Sequence, residues 1–209
     1  VYKRQYQYNP IRTLKMGTLA IYNVLGIAKR LNVPILQAST SEIYGDPDPK
    51  NIPTKESYRG NVSCNGPRAC YDESKRIGET LCNIYHNLKG IRTNTIRPFN
   101  VFGPGMQETD YRVLPNFTSR IKGNIPLQIY GTGNQTRTFC YITDAMEGFI
   151  RVILNGVPGE AYNIGNSPTV KNGDYSVSSD PSTVELQDIT TPSILQITGL
   201  LKNESSAVL

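Results

Sequence analysis

Tyr71 and Lys75 are the two residues of this sequence whose types and spacing most readily suggest chemistry. On a helix, residues four apart lie on one face, so this spacing places an ammonium group beside a phenol. A free tyrosine has a pKa of about 10, and a fixed cation favours the phenolate. Lowering that pKa by about three units takes roughly 4 kcal/mol, which requires a closed site with further donors. The bare pattern is common by accident and is equally typical of a surface helix.

The flanking sequence predicts the elements that would position this pair. Apolar residues behind Tyr71 recur at helical spacing and predict a helix over residues 71–89. A similar pattern predicts a helix over 11–31, which Asn32-Val33-Pro34 ends. Residues 35–40 form an apolar run typical of a buried parallel strand. The polar residues just past the carboxyl end of such a strand lie where α/β sheets bind ligands.

The rest of the chain continues this alternation of strands and helices. The pattern predicts strands near 93–97, 127–130 and 161–164, helices near 114–122 and 144–154, and a polar turn over 131–137. Such alternation favours a doubly wound α/β fold with a parallel sheet. From residue 167, Ser, Thr, Asp and Pro dominate. A disordered tail and a frameshifted end both explain that composition.

Composition excludes several classes of function. The chain has 209 residues and a net charge of +5 without a block of basic residues, so a nucleic-acid partner is not expected. No apolar run approaches a membrane span, and no signal peptide opens the sequence, so we expect a cytoplasmic protein with no membrane partner. The four cysteines lack C-x-x-C spacing and there is one histidine, so no metal site is expected.

Four motifs in order carry a resemblance to a known family. They are Ala38–Gly45, Gly66–Arg76, Arg97–Pro104 and Tyr130–Arg137. Together they resemble the extended short-chain dehydrogenase/reductase family that acts on nucleotide sugars, also called the NAD-dependent epimerase/dehydratase family, over roughly residues 8–166. The segments Gly66–Glu73 and Gln135–Arg137 are most similar to the corresponding segments of UDP-glucuronate decarboxylases.

The resemblance implies a redox-neutral decarboxylation that uses NAD. Tyr71 would take the proton of the sugar's C4 hydroxyl, with Lys75 lowering the tyrosine's pKa and Thr40 bonding the same hydroxyl. The resulting 4-keto sugar would lose its C6 carboxylate, with Ser41 and Glu42 handling protons at C5 and C6. The dehydratases of the family have an Asp where Ser41 stands, and its 4-epimerases typically lack an acid at Glu42. The pair favours decarboxylation, with 4-epimerase or 4,6-dehydratase activity as the alternatives.

The resemblance also implies binding residues and partners. Contacts to NAD would come from the two catalytic helix residues and from Ala38, Ser39, Pro98 and Phe99. Contacts to the nucleotide-sugar substrate would come from Asn100, Arg112, Leu114, Tyr130 and Arg137. A homodimer would form through the helices 11–31 and 71–89.

The implied fold is a partial Rossmann-like doubly wound parallel sheet with the start of a smaller C-terminal substrate domain. Residues 1–5 are those that a sequencing-library adapter would encode, and we interpret them as a non-native leader. Residues 6–105 would hold the C-terminal part of the NAD-binding domain. Residues 106–166 would include both segments that bind the substrate and segments that belong again to the NAD-binding domain. Residues 167–209 would be the unmatched tail.

The sequence departs from the family in three places. No Gly-rich pyrophosphate loop follows a strand, and the resemblance places that loop upstream of residue 1. The strand at 35–40 would then be an exposed edge, and an inactive truncated fragment becomes a further alternative. Met16-Gly17 replace a polar pair that usually includes Asn, and residues after 166 do not match the family.

Overall fold

The computed structural model describes residues 3–129 and 137–165, with side chains from residue 6 onward. Its helices are Lys3–Tyr8 (α1), Pro10–Lys15 (α2), Ile21–Leu31 (α3), Ala69–Lys89 (α4), Val113–Lys122 (α5) and Ile142–Asn155 (α6). Its strands are Ile35–Ala38 (β1), Thr93–Pro98 (β2), Asn100–Phe102 (β3), Phe139–Tyr141 (β4) and Ala161–Ile164 (β5). None of these helices combines the length and apolar character that crossing a bilayer requires.

The central sheet is parallel, as the alternation of elements predicted. Its strand order is β1-β2-β5, with Ile35 beside Thr93 and Thr95 beside Ala161. Ile96 of β2 is buried between its two neighbours. Within the described residues β1 pairs with β2 alone and forms an edge of the sheet. The predicted parallel α/β architecture is confirmed.

The chain divides into two compact units. The first contains residues 1–99 and 145–164, and therefore the whole β1-β2-β5 sheet. The second contains the described part of 100–144, where β3 and β4 pair in parallel with Asn100 beside Phe139. The sequence patterns did not predict this second pair. The predicted strand over 127–130 is wrong at 127–129, which are irregular, while the turn at 131–136 and the tail lie outside the described residues.

The predicted helix over 11–31 is present but contains a change of helical type. A π-helical segment, Met16–Ala20, joins α2 to α3. A Cβ atom at Gly17 would lie 2.4 Å from Cβ of Ser74, so the helix can approach α4 this closely only with glycine there. Leu25 and Ala28 form its buried face. Asn32 ends α3 in the left-handed conformation, with φ of 52°.

Helix α4 spans the predicted range but buries an unexpected face. The apolar stripe that identified the helix is largely exposed, including Ile84 and Leu88. Its buried residues are small or polar, namely Asp72, Ser74, Gly78 and Cys82. Small side chains let α4 lie close to its neighbours, since a Cβ atom at Gly78 would lie 3.0 Å from the Gln37 amide. The apolar face of α4 is therefore left open on the surface.

Candidate active site

The first group of candidate residues lies where the chain leaves β1. Thr40 caps a short 3-10 helix, Ser41–Tyr44, and its Oγ1 accepts a hydrogen bond of 3.3 Å from the Glu42 amide. Gly45 ends that helix with φ of 65°, and a Cβ atom there would lie 1.9 Å from the Asn61 carbonyl oxygen. The turn therefore needs glycine, and it fixes Thr40 and Glu42 at the carboxyl end of the strand.

The first turns of α4 bring the second group to the same place. The Thr40 hydroxyl lies close enough to Tyr71 to act on the pKa of its phenol as a hydrogen-bonding group. Lys75 Nζ lies 5.9 Å from the centroid of the Tyr71 ring and donates a 2.8 Å hydrogen bond to the carbonyl oxygen of Ala38. Thr40, Tyr71 and Lys75 thus converge at the end of β1.

Burial dominates the electrostatics of Tyr71. Burial raises the pKa of Tyr71, and the Glu42 and Asp72 carboxylates raise it further, against the effect of the Thr40 hydrogen bond. Burial also lowers the pKa of Lys75. The role of Lys75 in lowering the pKa of Tyr71 stays a prediction. Its ammonium group binds the Ala38 carbonyl, and the withdrawal of the phenol from water dominates.

A cluster that the sequence analysis did not single out borders the tyrosine. Arg68 Nη2 lies 2.6 Å from Oε2 of Glu42, and Arg68 Nη1 donates a 3.1 Å hydrogen bond to the Tyr6 hydroxyl. The Tyr6 ring stacks on the Tyr71 ring, with centroids 5.5 Å apart and planes at 22°. Arg68 lay inside a quoted motif without an assigned role, and Tyr6 belongs to a helix too short for a periodic signal.

A buried network supports the strand ends behind this cluster. Arg97 forms a bidentate interaction with Glu79 of α4. Its Nε donates to Oε1 at 3.0 Å and its Nη2 donates to Oε2 at 2.7 Å. Arg97 Nη1 also donates to the Tyr44 hydroxyl at 2.8 Å, and Ser39 donates its hydroxyl to Glu79. The Ser39 side chain, predicted to contact the cofactor, is therefore held in the network beneath Thr40.

The other predicted binding residues are spread over both units. Phe99 lies in the first unit, where its amide donates to the Ile164 carbonyl at 2.8 Å, and Pro98 ends β2. In the second unit, Asn100 Nδ2 donates to the Thr138 carbonyl at 2.8 Å. Their roles in binding stay predictions.

The second unit also holds the remaining candidates. Arg112 pairs with Asp110 at 2.5 Å, and although burial opposes it, this pairing lowers the pKa of that carboxyl. Leu114 lies on α5, Arg137 is exposed just before β4, and Tyr130 is outside the described residues. Within residues 3–129 and 137–165, no group of His, Cys, Asp and Glu side chains is arranged to hold a metal ion.

Comparison with known proteins gives consistent results. Residues 2–165 match the NAD dependent epimerase/dehydratase family. The chain is 45% identical over 161 residues to UDP-glucuronic acid decarboxylase 1 of Xenopus tropicalis, covering 77% of this chain and 38% of that protein. It is also 45% identical over 161 residues to UDP-glucuronic acid decarboxylase 3 of Arabidopsis thaliana, covering 77% of this chain and 46% of that protein.

A solved structure gives the same picture for the fold. The UDP-N-acetylglucosamine 4-epimerase of Methanobrevibacter ruminantium superposes with a TM-score of 0.70 at 26% identity, covering 79% of this chain and 52% of that one. The chain thus spans about two fifths of the length of the curated relatives and about half of this structure.

Proposed function

The chain belongs to the NAD dependent epimerase/dehydratase family, and from that premise we propose that its parent enzyme converts UDP-glucuronate to UDP-xylose through a 4-keto sugar. The observation that carries the proposal is the convergence of Thr40, Tyr71 and Lys75 at the end of β1, with Glu42 held on the same turn. The two relatives that are 45% identical to this chain are named UDP-glucuronic acid decarboxylases, which supports the proposal.

The residues present suit one part of the cofactor. Lys75 has three N–H donors, and the described residues account for one of them, at Ala38. The others can hold ribose hydroxyls beside Tyr71. NAD, when bound, supplies a hydride acceptor and a positive charge that favours the phenolate. The Gly-rich loop that would hold its pyrophosphate is not among these residues.

The chain's own residues divide the chemistry between them. The Glu42 amide donates to Thr40 Oγ1 and holds this hydroxyl near Tyr71, so that both hydroxyls can contact the same sugar hydroxyl. Tyr71 takes the proton of the C4 hydroxyl as that carbon becomes a ketone. The burial that raises its pKa makes it a poor base until a cation is added.

Proton delivery at C5 falls to Glu42 in this mechanism. With a ketone at C4, the C5–C6 bond breaks, its electron pair passes to C5 and O4, and C6 leaves as carbon dioxide. Glu42 then governs the proton that C5 receives. Tyr71 returns its proton to O4 when the ketone is reduced, so the sugar undergoes no net oxidation.

The second candidate function is a nucleotide-sugar 4-epimerase, since the UDP-N-acetylglucosamine epimerase structure is similar over 79% of this chain. The same Tyr71, Thr40 and Lys75 would serve it, and a 4,6-dehydratase as well. Glu42 favours decarboxylation because it adds a carboxylate beside the base. In the last alternative, the 209 residues alone are an inactive fragment.

Product analysis tests the proposal. The intact protein encoded by the gene is incubated with UDP-[6-13C]-glucuronate and NAD. We expect labelled carbon dioxide and unlabelled UDP-xylose in equal amounts. The C4 epimer of the substrate would support the 4-epimerase instead. A 4-keto-6-deoxy sugar formed in a parallel incubation with UDP-glucose, which has a C6 hydroxyl, would support the 4,6-dehydratase. A protein that retains NAD but changes no UDP-sugar would contradict the enzymatic proposals altogether.

We also propose that the parent enzyme is a homodimer built on the apolar face of α4. Ile77, Ile84 and Leu88 are exposed there, and the neighbouring α3 exposes Tyr22, whose ring meets Tyr85 edge-on. An open apolar stripe on two adjoining helices is suited to pairing with a second copy. Ile84→Glu should shift sedimentation from dimer to monomer, and an unchanged sedimentation coefficient would contradict the proposal.

We place the protein in the cytoplasm on the state of its cysteines. The four side chains, Cys64, Cys70, Cys82 and Cys140, are all free, and Cys64 is exposed. Free exposed thiols suit a reducing compartment. Fractionation of cells that express the tagged protein tests this, and recovery with a membrane-enclosed lumen would contradict it.

A further inference from the structure

We propose that Arg68 is a positioning residue that holds the Glu42 carboxylate in place for proton delivery at C5. The inference rests on the proposed function and adds to it a residue to which no role has been assigned. Arg68 directly precedes α4, whereas Glu42 lies just past β1. Their ion pair therefore joins the two segments that carry the catalytic groups.

The geometry gives the carboxylate a defined location. Arg68 Nη2 lies 2.6 Å from Glu42 Oε2, while its Nη1 is held by the Tyr6 hydroxyl at 3.1 Å. A guanidinium group is planar, so fixing one nitrogen orients the other. The Tyr6 ring in turn stacks on the Tyr71 ring. Glu42 is thereby connected to Tyr71, the proposed base, through a chain of three contacts.

Glu42 needs such a contact because little else confines its side chain. Its side chain is 45% exposed, so without a partner it would sample several rotamers. The neighbouring Asp72 carboxylate lies 3.6 Å from the same Nη2 atom. With Arg68 removed, the Glu42 and Asp72 carboxylates would face each other without the cation that now lies between them, and their repulsion would move the more exposed Glu42 away from Tyr71.

Loss of Arg68 should therefore separate the two halves of the reaction. Oxidation at C4 depends on the Tyr71 and Thr40 hydroxyls, whereas the described contacts of the Arg68 side chain are with Tyr6, Glu42 and Asp72. The Arg68 backbone carbonyl, which accepts from the Tyr71 amide at 2.9 Å, is kept in every variant. Protonation at C5 depends on Glu42, which the Arg68 side chain holds. An enzyme without Arg68 should still form the ketone and carbon dioxide, and then release the 4-keto sugar before C5 is protonated correctly.

The test compares Arg68→Met, Arg68→Lys, Glu42→Gln and the double variant Arg68→Met/Glu42→Gln in the intact enzyme, with UDP-glucuronate as substrate. Arg151→Met is the matched control, since it removes an exposed arginine whose ion pair within the described residues is with Glu147 on α6. Two quantities are measured, namely the ratio of released 4-keto sugar to UDP-xylose, and the stereochemistry of deuterium at C5 in D2O.

We expect Arg68→Met to raise the ketone fraction about ten-fold and to scramble the deuterium. This is less than the roughly hundred-fold or greater effect of losing an acid–base group, because Glu42 itself is still present. Arg68→Lys should recover part of the ratio, Arg151→Met should match the wild type, and the double variant should resemble Glu42→Gln alone. An unchanged ratio with a raised KM would overturn the proposal, because Arg68 would then bind substrate directly. An equal loss of the 4-keto sugar and of UDP-xylose would also overturn the proposal, because it would indicate that Arg68 supports the structure of the whole site. A wild type that releases no carbon dioxide refutes the proposed function itself, and the positioning role with it.

Discussion

Two arginine–carboxylate pairs involve α4 or the residue just before it, and they differ mainly in burial. Arg97 and Glu79 meet at 2.7 Å with side chains 10% and 15% exposed. Arg68 and Glu42 meet at 2.6 Å with side chains 33% and 45% exposed. Breaking a buried pair leaves an uncompensated charge, whereas an exposed pair contributes little to stability. The Arg97–Glu79 pair is therefore suited to stabilising the contact between β2 and α4. The Arg68–Glu42 pair contributes little to stability, so its residues can have a role in catalysis.

Glu79→Gln should give the largest effect, because it removes the charge opposite the buried Arg97. We expect the free energy of unfolding to fall by about 3–5 kcal/mol, as for other buried pairs that lose one partner. Urea denaturation measures this change. Glu147→Gln is the control, since it removes an exposed partner on α6 and should cost less than about 1 kcal/mol. Equal losses in the two variants would contradict the role assigned to burial.

Gly17→Ala tests how tightly α4 is packed near Lys75, where the helix meets the π-helical segment Met16–Ala20. The new methyl group would lie 2.4 Å from Cβ of the buried Ser74, one residue before Lys75. We expect a loss of about 1–3 kcal/mol, typical of overpacking, together with reduced activity. The double variant Gly17→Ala/Ser74→Gly should regain most of that stability.

Gly26 provides the matched control in the same helical segment. Nothing lies within 4 Å of a Cβ atom at Gly26, so Gly26→Ala should stabilise α3 by up to about 1 kcal/mol. If both alanine variants had the same sign, helix propensity rather than the contact with Ser74 would explain the result.

Asp72 is a buried neighbour of the Arg68–Glu42 pair, and it allows the surroundings of that pair to be probed by pH. Burial raises the pKa of Asp72, and the Glu42 charge adds to this, against the effect of Arg68. Its folded pKa lies above its unfolded value, so its contribution is favourable below about pH 4 and is lost as pH rises through the folded pKa. At neutral pH the ionised carboxylate is therefore destabilising.

Asp72→Asn should accordingly raise stability at pH 7, because the amide does not carry the buried charge. The advantage over the wild type should shrink as the pH falls towards 4. Chemical denaturation at several pH values measures the difference. An advantage that grows on acidification would reverse the sign of the pKa shift and contradict its cause in burial.

The sequence was sufficient to predict the elements with long periodic or continuous apolar patterns. Helix α4, strand β2 and strand β5 lie within two residues of their predicted bounds. Strands β3 and β4 have three residues each, too few for an alternating pattern, and helix α1 has six. Such short elements depend on tertiary contacts that no local pattern records.

The site shows the same division between local and tertiary information. Thr40, Tyr71 and Lys75 belong to motifs and were identified from sequence. Arg68 was not assigned a role, because its partner Glu42 is distant in the chain and only the fold brings them together. The apolar face of α4 was sufficient to predict that the segment is a helix, but not which of its faces is buried. That choice depends on glycine and other small residues, which let one face approach the core closely.

The smallest effect should come from a third pair, which tests whether burial is the controlling variable. Glu73 Oε1 lies 3.7 Å from Nε of Arg76 on the same helix, with side chains 32% and 36% exposed. Glu73→Gln should lower the free energy of unfolding by less than about 0.5 kcal/mol, because an exposed pair is screened and Arg76 keeps its hydrogen bond to the Ile43 carbonyl. Its exposure resembles that of the Arg68 pair, so Glu42→Gln should cost equally little stability while changing the products. If Glu42→Gln instead destabilised the fold as much as Glu79→Gln, the second pair would be structural and the contrast between the two would fail.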